Sequence, residues 1–310
     1  MKSRVHNLIY LVCFISIQAN AQVSFKTEYF GKSAYMEDIS NEEAPLKIGD
    51  GTGSTIVYSG NITIPFFEKL NEENRPTSFG VSISGAYASL DNKLENKTIP
   101  VDLVKDIMNI QVGFYYLRPL NDKWSLLGSI GAGTYVPSNQ LSDISHKNIL
   151  GSIGAIFIKH INPNLDLGAG VTVNSTFGYP MAFPALYLNW TLNEKLKVKA
   201  SLGEGVELLA GYNFSDYFSL SLVAELNGQM ALVEKNGEDK IFTHQYITSG
   251  LRPEINFPKM GISIPFTFGI SAYRPAFYSD RTLKAMFSTD NDYYFFNASL
   301  YASASIKYTF

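Results

Sequence analysis

The last eighteen residues of the chain, 293–310, alternate apolar and polar side chains without a turn signal. Counted back in twos from Phe310, one set is apolar or aromatic: Tyr308, Ile306, Ala304, Ala302, Leu300, Ala298, Phe296 and Tyr294. A period of two places successive side chains on opposite faces of a β-strand. Strands of globular proteins usually have about 3–10 residues, whereas a tilted strand needs about 9–11 to cross the hydrocarbon layer of a membrane. The segment therefore predicts a long, two-faced strand that suits a bilayer.

The same alternation recurs along the chain, and no window favours the helical period. It predicts fourteen strands, at 23–35, 54–65, 77–90, 107–119, 124–136, 149–161, 165–175, 183–192, 196–202, 206–214, 219–233, 241–257, 261–274 and 293–310. Bacterial membrane barrels of a single chain have an even number of strands. Twelve strands is the alternative, because the hairpin at 196–214 is short.

The connections between these strands differ in length in a regular way. Short turns are expected at 120–124, 162–164, 193–195, 215–217 and 258–260, and longer polar segments at 36–53, 91–105, 137–148, 234–240 and 275–292. Short turns on one side and long loops on the other are typical of an outer-membrane barrel. Two connections fit poorly, since 66–76 is long for the turn side and 203–205 is short for the loop side.

The first 21 residues read as a secretory signal peptide. Lys2 and Arg4 form a positive start, a short apolar region follows, and Ala19-Asn20-Ala21 is a small-residue cleavage site. The predicted domains are therefore the signal peptide, 1–21, and one barrel domain, 22–310. The single cysteine, Cys13, lies in the signal peptide, so the mature chain is expected to enter an oxidising compartment without disulfides.

The composition separates the remaining fold classes. Without the signal peptide the chain has 23 basic and 28 acidic residues, which gives no electrostatic footprint for nucleic acid. A soluble β-sandwich would show the same alternation, with one face buried and one solvated. Against it, the apolar face continues over many strands and the opposite face is rich in Gly, Ser and Ala. We therefore expect an all-β protein, a single transmembrane up-and-down antiparallel barrel.

Two resemblances support this expectation. Ile306, Tyr308 and Phe310 match the terminal aromatic signal that outer-membrane insertion machinery recognises. The chain as a whole resembles a family of outer-membrane β-barrels of unknown function from Bacteroidota, in "ANAQ" at the end of the signal peptide, in "LRPLNDKWSLLGSIGAG" and in "LYLNWTLNEKLKVKASLG". The resemblance implies the fold and a location in the outer membrane of a Gram-negative cell, and it supplies no chemistry.

Assigning the apolar set of each strand to lipid leaves charged residues for the lumen. The candidates for a functional constriction are Lys197, Lys199, Glu207, Glu225, Arg252 and Glu254, with Lys26, Glu28, Asp166 and Lys307 on the same faces. Lys197 or Lys199, Glu207 and Glu225 fall on three consecutive strands, so cross-strand ion pairs are expected. Such a set either selects solutes by charge or forms a paired network that fills a narrow lumen.

Apart from these charged residues, the sequence gives little indication of a catalytic or metal site. The histidines of the mature chain, His146, His160 and His244, show no spacing that demonstrates a nucleophile beside a base. His244 is expected to face the lumen near the outer rim, with Tyr246 on the same face. No cysteine or histidine pair has the spacing of a metal site. We therefore expect no enzyme activity, no cofactor and no metal.

The sequence thus predicts an integral outer-membrane barrel that acts as a narrow pore or transporter for small or amphipathic solutes. The alternatives are a closed structural or surface-interaction barrel and, less favoured, a barrel enzyme acting on lipid. A loop that folds into the lumen would separate the first two, and 88–106 is the candidate. The expected partners are outer-membrane lipids and, during biogenesis, the barrel-insertion machinery and periplasmic chaperones.

Overall fold

The computed structural model describes residues 21–38, 45–93, 103–176, 179–193, 195–202, 205–235, 237–282 and 293–310. Its strands are β1 (Gln22–Asp38), β2 (Leu46–Leu70), β3 (Pro76–Lys93), β4 (Asp106–Asn121), β5 (Trp124–Val136), β6 (Ile149–Asn162), β7 (Leu165–Asn174), β8 (Met181–Leu192), β9 (Leu196–Leu202), β10 (Val206–Ser215), β11 (Phe218–Lys235), β12 (Glu238–Phe257), β13 (Ile262–Asp280), β14 (Tyr293–Phe296) and β15 (Ser299–Thr309). Three 3-10 helices lie in the connections: η1 (Ser138–Asp143), η2 (His146–Asn148) and η3 (Pro258–Met260).

These strands form one closed antiparallel barrel. Each strand pairs with its neighbours in the sequence, and the first strand, β1, also pairs with β14 and β15 at the end of the chain. β14 and β15 are two parts of one strand, interrupted at Asn297 and Ala298, so the described residues give fourteen strand positions. The prediction of fourteen strands is confirmed and the alternative of twelve is wrong. Within the described part of the chain, no helix is long and apolar enough to cross a membrane.

The two ends of the described chain meet at one rim of the barrel. Ala21 and Phe310 exchange two backbone hydrogen bonds, each 3.0 Å long. The connections that follow β2, β4, β6, β8, β10 and β12 lie at this rim, which we call the turn end, and we call the opposite rim the loop end. Pairing of the first and last strands removes both free edges, which an open sheet in lipid could not leave unpaired.

Side chains alternate across the wall as the sequence predicts. On β4, Ile110, Val112, Phe114 and Tyr116 point outward and are exposed, while the residues between them, Asn109, Gln111, Gly113 and Tyr115, point inward. An exposed apolar band that runs round a protein is tolerated in lipid and not in water. The band excludes the β-sandwich alternative, in which this face would be the buried one.

Several predicted loops are in fact paired strand. At the turn end, the predicted connection 66–76 looked too long. In the structure β2 continues to Leu70 and β3 begins at Pro76, so only a tight turn joins the two strands. At the loop end, β2 already begins at Leu46 and β13 runs to Asp280. Polar residues there extend the sheet beyond the bilayer, where water can solvate their side chains.

The predicted long loop at 234–240 is wrong. β11 runs to Lys235 and β12 begins at Glu238, so a tight turn joins them, with Gly237 at a φ of 78°. Glycine adopts positive φ without the steric cost that other residues meet. The sequence Asn236-Gly237 is a strong signal for such a hairpin, and it could have identified the turn.

The hairpin that this turn closes bends into the lumen, while its second strand, β12, stays paired with β13 as far as Lys240 and Asp280. We call residues 227–245 of β11 and β12 the inner hairpin. On one of its faces Ala231 and Phe242 join a buried cluster formed mainly by inward side chains of β1–β4, including Phe30, Tyr35, Val57, Ala88, Leu90 and Ile107. On the other face Leu232 and Ile241 pack with Leu150 and Tyr135 of the opposite wall. Because both faces are covered, the inner hairpin fills the lumen near the loop end.

Two predicted segments fall outside the described residues. The signal peptide, 1–21, is represented only by Ala21, and its cleavage stays a prediction. The loop 88–106, which was the candidate for folding into the lumen, is described only up to Lys93 and from Leu103. Leu103 belongs to the same buried cluster as the inner hairpin.

Candidate functional site: the lumen

A chain of ion pairs lines one side of the lumen. Lys26 Nζ on β1 lies 2.8 Å from Glu28 Oε1 and 3.2 Å from Glu225 Oε2 on β11. Arg252 on β12 reaches Glu225 Oε1 at 2.5 Å and Glu207 Oε1 at 3.1 Å. Glu225 therefore stands between two cations, and its side chain is nearly buried. Three of the six constriction candidates, Glu207, Glu225 and Arg252, meet in this network with Lys26 and Glu28.

The network continues into hydrogen bonds with buried aromatic side chains. The Glu28 carboxylate accepts hydrogen bonds from the hydroxyl of Tyr301 at 2.6 Å and from that of Tyr246 at 3.1 Å. Gln229 on the inner hairpin donates to the Tyr246 hydroxyl at 3.2 Å. The ion pairs of the wall are thereby joined to the inner hairpin. Each buried charge has partners, which is the condition for tolerating it in a low-dielectric interior.

The other predicted charged residues lie outside this network. Lys197 lines the mouth of the lumen at the turn end, and Lys199 follows it on the same face of β9. Glu254 lies on β12 opposite Ser219 of β11. The two lysines do not form the expected pairs with Glu207 and Glu225, because Arg252 occupies both carboxylates.

Asn109 of β4 holds the inner hairpin against the opposite wall. β10 pairs with β11 only as far as Leu226, so beyond it one edge of β11 has no β10 partner. The Asn109 side-chain amide donates to the Met230 carbonyl at 2.7 Å and accepts from the Met230 N–H at 3.3 Å. Asn148 donates in the same way to the Leu232 carbonyl at 3.2 Å. Side-chain amides thus form the hydrogen bonds that the backbone groups of this strand edge would otherwise lack in a buried position.

Arg274 is a buried cation that the sequence analysis missed. It is fully buried, and its guanidinium donates to Thr55 Oγ1, to Ser33 Oγ and to the carbonyl of Gly53, at 2.8–3.2 Å. The guanidinium carbon lies 4.6 Å from the centre of the Phe296 ring. Gly53 is required here, because a Cβ atom would approach that ring to 2.4 Å. Arg274 therefore ties β1, β2 and β13 together above the ion pairs.

His244 lies where the sequence predicts it, inside the barrel near the loop end. It is fully buried beside Phe30 and Tyr246, and its Nδ1 lies 3.2 Å from Gln229 Oε1. In the described structure its Nε2 has no protein partner. A histidine enclosed in this way packs the inner hairpin and is closed to a substrate in this state.

Below the inner hairpin the lumen contains three cavities with shared walls. A cavity of about 670 Å³ opens at the turn end and is lined by Lys195, Lys197, Asp216 and Lys307 among others. Lys307 also lines a second cavity of about 310 Å³, which shares Asn61, Asn109 and Gln111 with a third of about 340 Å³. The third cavity ends at Gly228 and Met230 of the inner hairpin. The lumen is therefore accessible from the turn end up to the inner hairpin.

Charged groups also cluster at the tip of the inner hairpin, at the loop end. Lys147 of η2 pairs with Asp239 at 3.2 Å, and Lys240 pairs with Glu238 at 2.7 Å and with Asp280. The hydrogen bonds to Asp280 and Glu238 raise the pKa of the Lys240 ammonium above its ordinary value. These exposed pairs orient the tip and contribute little to stability.

The three residues of the predicted insertion signal share one face of β15 and its end. Ile306, Tyr308 and Phe310 are all exposed on the outside of the barrel, and the rings of Tyr308 and Phe310 stack 5.1 Å apart. Their recognition by insertion machinery stays a prediction. Among the described residues, no group of three His, Cys, Asp or Glu side chains is placed to hold a metal ion.

Comparison with known families identifies the chain. A family model described as a domain of unknown function, DUF6268, matches residues 17–309. The chain belongs to this family. The match begins within the last residues of the predicted signal peptide and covers the whole barrel, so the family is defined by the barrel itself. No curated protein matches the chain.

Solved structures with a similar fold include barrels of different kinds. An outer membrane channel (COG4313) from Pseudomonas putida F1 has a TM-score of 0.45 and 9% identity, over 95% of this chain and 97% of that one. The translocator domain of the autotransporter NalP from Neisseria meningitidis has a TM-score of 0.39 and 13% identity, over 100% and 95%. The outer membrane protease OmpT from Escherichia coli has a TM-score of 0.29 and 9% identity, over 96% and 99%. The similarity is to membrane barrels in general and does not select an activity.

Proposed function

We propose that this protein is a narrow channel of the outer membrane of a Gram-negative bacterium, with the turn end in the periplasm. Its cargo is small or amphipathic solutes. The observation that carries the proposal is that the accessible cavities start at the turn end and stop at the inner hairpin. The closure is made by the inward ends of β11 and β12, and in this proposal they act as the gate. The resemblance to barrels of Bacteroidota is compatible with this location.

Along its β11 edge the gate is held by few polar contacts, whereas its β12 edge stays paired with β13. Asn109 supplies two hydrogen bonds to one edge of the inner hairpin, and Asn148 supplies a third. A neutral hydrogen bond contributes about 0.5–1.5 kcal/mol net. The apolar contacts of Ala231, Phe242 and Leu232 hold the rest. The free energy needed to release this edge is therefore comparable to the free energy that the binding of a solute or a membrane voltage supplies.

The shape of the wall supports amphipathic solutes. β9 has seven residues, fewer than the roughly nine needed to cross the hydrocarbon layer. The barrel wall therefore has its smallest height along the barrel axis at the hairpin of β9 and β10. This hairpin lies beside the point where β11 turns inward after Leu226. The innermost cavity is bounded by β7 on one side of this low wall and by Gly228 and Met230 on the other. A solute with an apolar part can contact lipid there while its polar part meets Asn and Ser side chains.

The charges at the turn end favour anions. Lys195, Lys197 and Lys307 line the first cavity, and Asp216 is the one acidic side chain in that lining. A mouth with excess positive charge concentrates anions and repels cations. The proposed channel needs no catalytic group, so transport by itself assigns no enzyme activity to the lumen.

Single-channel conductance in planar bilayers tests the proposal. The wild-type mature protein should open rarely, and Asn109→Ala should raise the open fraction several-fold because the edge of the inner hairpin is freed. Asn61→Ala is the matched control, since Asn61 lines the same cavities but bonds only to Ser82 and Thr63 of its own wall. In open channels, Lys197→Glu should shift selectivity toward cations.

The closed structural barrel is the second candidate, and the packing of the inner hairpin on both of its faces is what favours it. Folding of each variant is checked by its heat-modifiable gel mobility. If folded Asn109→Ala stays as silent as the wild type at every voltage, the channel proposal is wrong and the structural barrel replaces it.

A further inference from the structure

Three consecutive strands bring a serine, a histidine and an aspartate together at the turn end of the lumen. Ser125 follows the first residue of β5, His160 precedes the end of β6 by two residues, and Asp166 is the second residue of β7. His160 and Asp166 are direct partners in the β6–β7 register. All three side chains lie on the inward face, away from the lipid-facing Trp124 and Phe157.

Their contacts have the order of a nucleophile, a base and an orienting carboxylate. Ser125 Oγ lies 2.8 Å from His160 Nε2, and His160 Nδ1 lies 2.6 Å from Asp166 Oδ1. A carboxylate on Nδ1 keeps the imidazole proton at that nitrogen, which leaves Nε2 to accept the serine proton. Other serines of β5, such as Ser129 on the same face, have no histidine beside them in the described structure.

We propose that Ser125, His160 and Asp166 form an acyl-transfer site that hydrolyses esters of short acyl groups. Ser125 is 4% exposed, whereas the side chains of His160 and Asp166 are 14% and 28% exposed. The base and the carboxylate are therefore reached from the water at the turn end, and the nucleophile lies just beneath them. The close cover over the serine favours small acyl groups, so the substrate class of the proposed site is a short-chain ester. The site is independent of the proposed gate, which lies at the other end of the lumen.

The reaction needs only the ester and water. Ser125 Oγ bonds to the acyl carbon while the bond from that carbon to the leaving oxygen breaks, and the serine proton passes to His160 Nε2 and then to the leaving alcohol. Water next attacks the acyl-serine, its proton passes through Nε2 back to Ser125 Oγ, and its hydroxyl stays on the released acid. Asp166 remains ionised throughout and stabilises the imidazolium between the two proton transfers.

Covalent labelling of the folded, full-length mature protein in detergent micelles tests the site. A fluorophosphonate probe should add one phosphonyl group to Ser125, located by mass spectrometry of the peptide, and Ser125→Ala should abolish the adduct. Ser129→Ala is the matched control and should label like the wild type. Asp166→Asn should slow labelling by roughly a hundredfold or more, since an amide that donates to Nδ1 leaves the proton on Nε2, the wrong tautomer for a base. Hydrolysis of p-nitrophenyl acetate should exceed that of p-nitrophenyl octanoate, and Ser125→Ala should lose both.

Two results would overturn the proposal. One is a folded wild-type protein in which Ser125 carries no adduct, which would make the three residues a hydrogen-bonded tie between strands. The other is labelling of Ser125 at the same rate in wild type and Asp166→Asn, which would show that Asp166 and His160 do not activate the serine. If Ser125→Ala fails to fold, the position of the adduct in the wild type still decides the question.

Discussion

At the scale of single residues, the sequence predicts which side chains point into the lumen, but it does not predict which of them form ion pairs with each other. Parity along each strand correctly places Lys26, Glu28 and Glu225 on the lumen side. It suggests ion pairs between the lysines of β9 and the glutamates of β10 and β11, whereas Arg252 of β12 pairs with both glutamates. A long side chain reaches across several strands inside a barrel, so the partner depends on the curvature of the wall.

Because contacts between strands are not predictable from the sequence, the sequence analysis missed the serine, histidine and aspartate at the turn end. Ser125 and His160 are 35 positions apart, and only the pairing of β5 with β6 brings them together. A register for the β6–β7 hairpin, read from its short turn, would have placed His160 opposite Asp166. The position of Ser125 relative to them requires the β5–β6 register, which a long connection leaves undetermined in the sequence.

Neutralising the shared carboxylate should weaken the barrel. Glu225→Gln leaves Lys26 and Arg252 partly unpaired in a nearly buried site, so the free energy of unfolding should fall by about 3–5 kcal/mol. Urea-induced unfolding in phospholipid vesicles, followed by tryptophan fluorescence, measures the change. Glu254→Gln is the control on the neighbouring strand and should change the free energy of unfolding by less than about 1 kcal/mol. Equal losses in both variants would show that the network has no special role.

At the scale of elements, strands and short turns follow from the pattern, and departures from the wall do not. The alternation in β11 continues from Phe218 to Lys235, yet only the part up to Leu226 lies in the wall with β10. Beyond it, side chains of both faces pack inside the lumen, and small or apolar residues such as Ala231 and Leu232 suit either lipid or a packed core. The alternation therefore predicts the two strands of the hairpin, and Asn236-Gly237 could have identified its turn, while the inward path depends on where the pairing with β10 ends.

Backbone amide exchange should reveal how the inner hairpin is held. The Met230 N–H donates to Asn109, whereas the neighbouring Ala231 lies in the pairing of β11 with β12. In Asn109→Ala the Met230 amide should exchange at least tenfold faster, and the Ala231 amide should exchange at its wild-type rate. Hydrogen–deuterium exchange read by nuclear magnetic resonance in micelles resolves the two amides. Acceleration of both would mean that the hairpin unfolds as a whole and that Asn109 does not act on one edge.

At the scale of the whole molecule, closure of the barrel joins the two ends of the chain. β1 pairs with β15 over nine residue pairs, from Gln22 with Thr309 to Phe30 with Tyr301. Phe310 adds the reciprocal hydrogen bonds with Ala21 and an exposed ring beside Tyr308. The last strand must therefore be in place before the barrel can close, which is why a recognition signal on this strand would be effective.

Changing the terminal aromatic residue should impair assembly more than stability. Phe310→Ala removes the exposed ring of the proposed insertion signal but keeps the backbone hydrogen bonds to Ala21. The fraction of heat-modifiable protein in isolated outer membranes should fall several-fold, while export to the periplasm is unchanged. Thr309→Ala, which alters the other face of the same strand end, should assemble normally. Equal assembly of the two variants would show that Phe310 carries no signal.

The sequence by itself determined the fold class, the strand number and the face that each strand turns to lipid. These follow from a period of two and from the lengths of turns, which are local properties that a bilayer imposes on every strand alike. The tertiary structure alone decided that the lumen is closed by β11 and β12, that Asn109 holds that closure, and which charges pair. Those outcomes depend on shear, curvature and the relative heights of distant strands, which set distances across the lumen that no local pattern encodes.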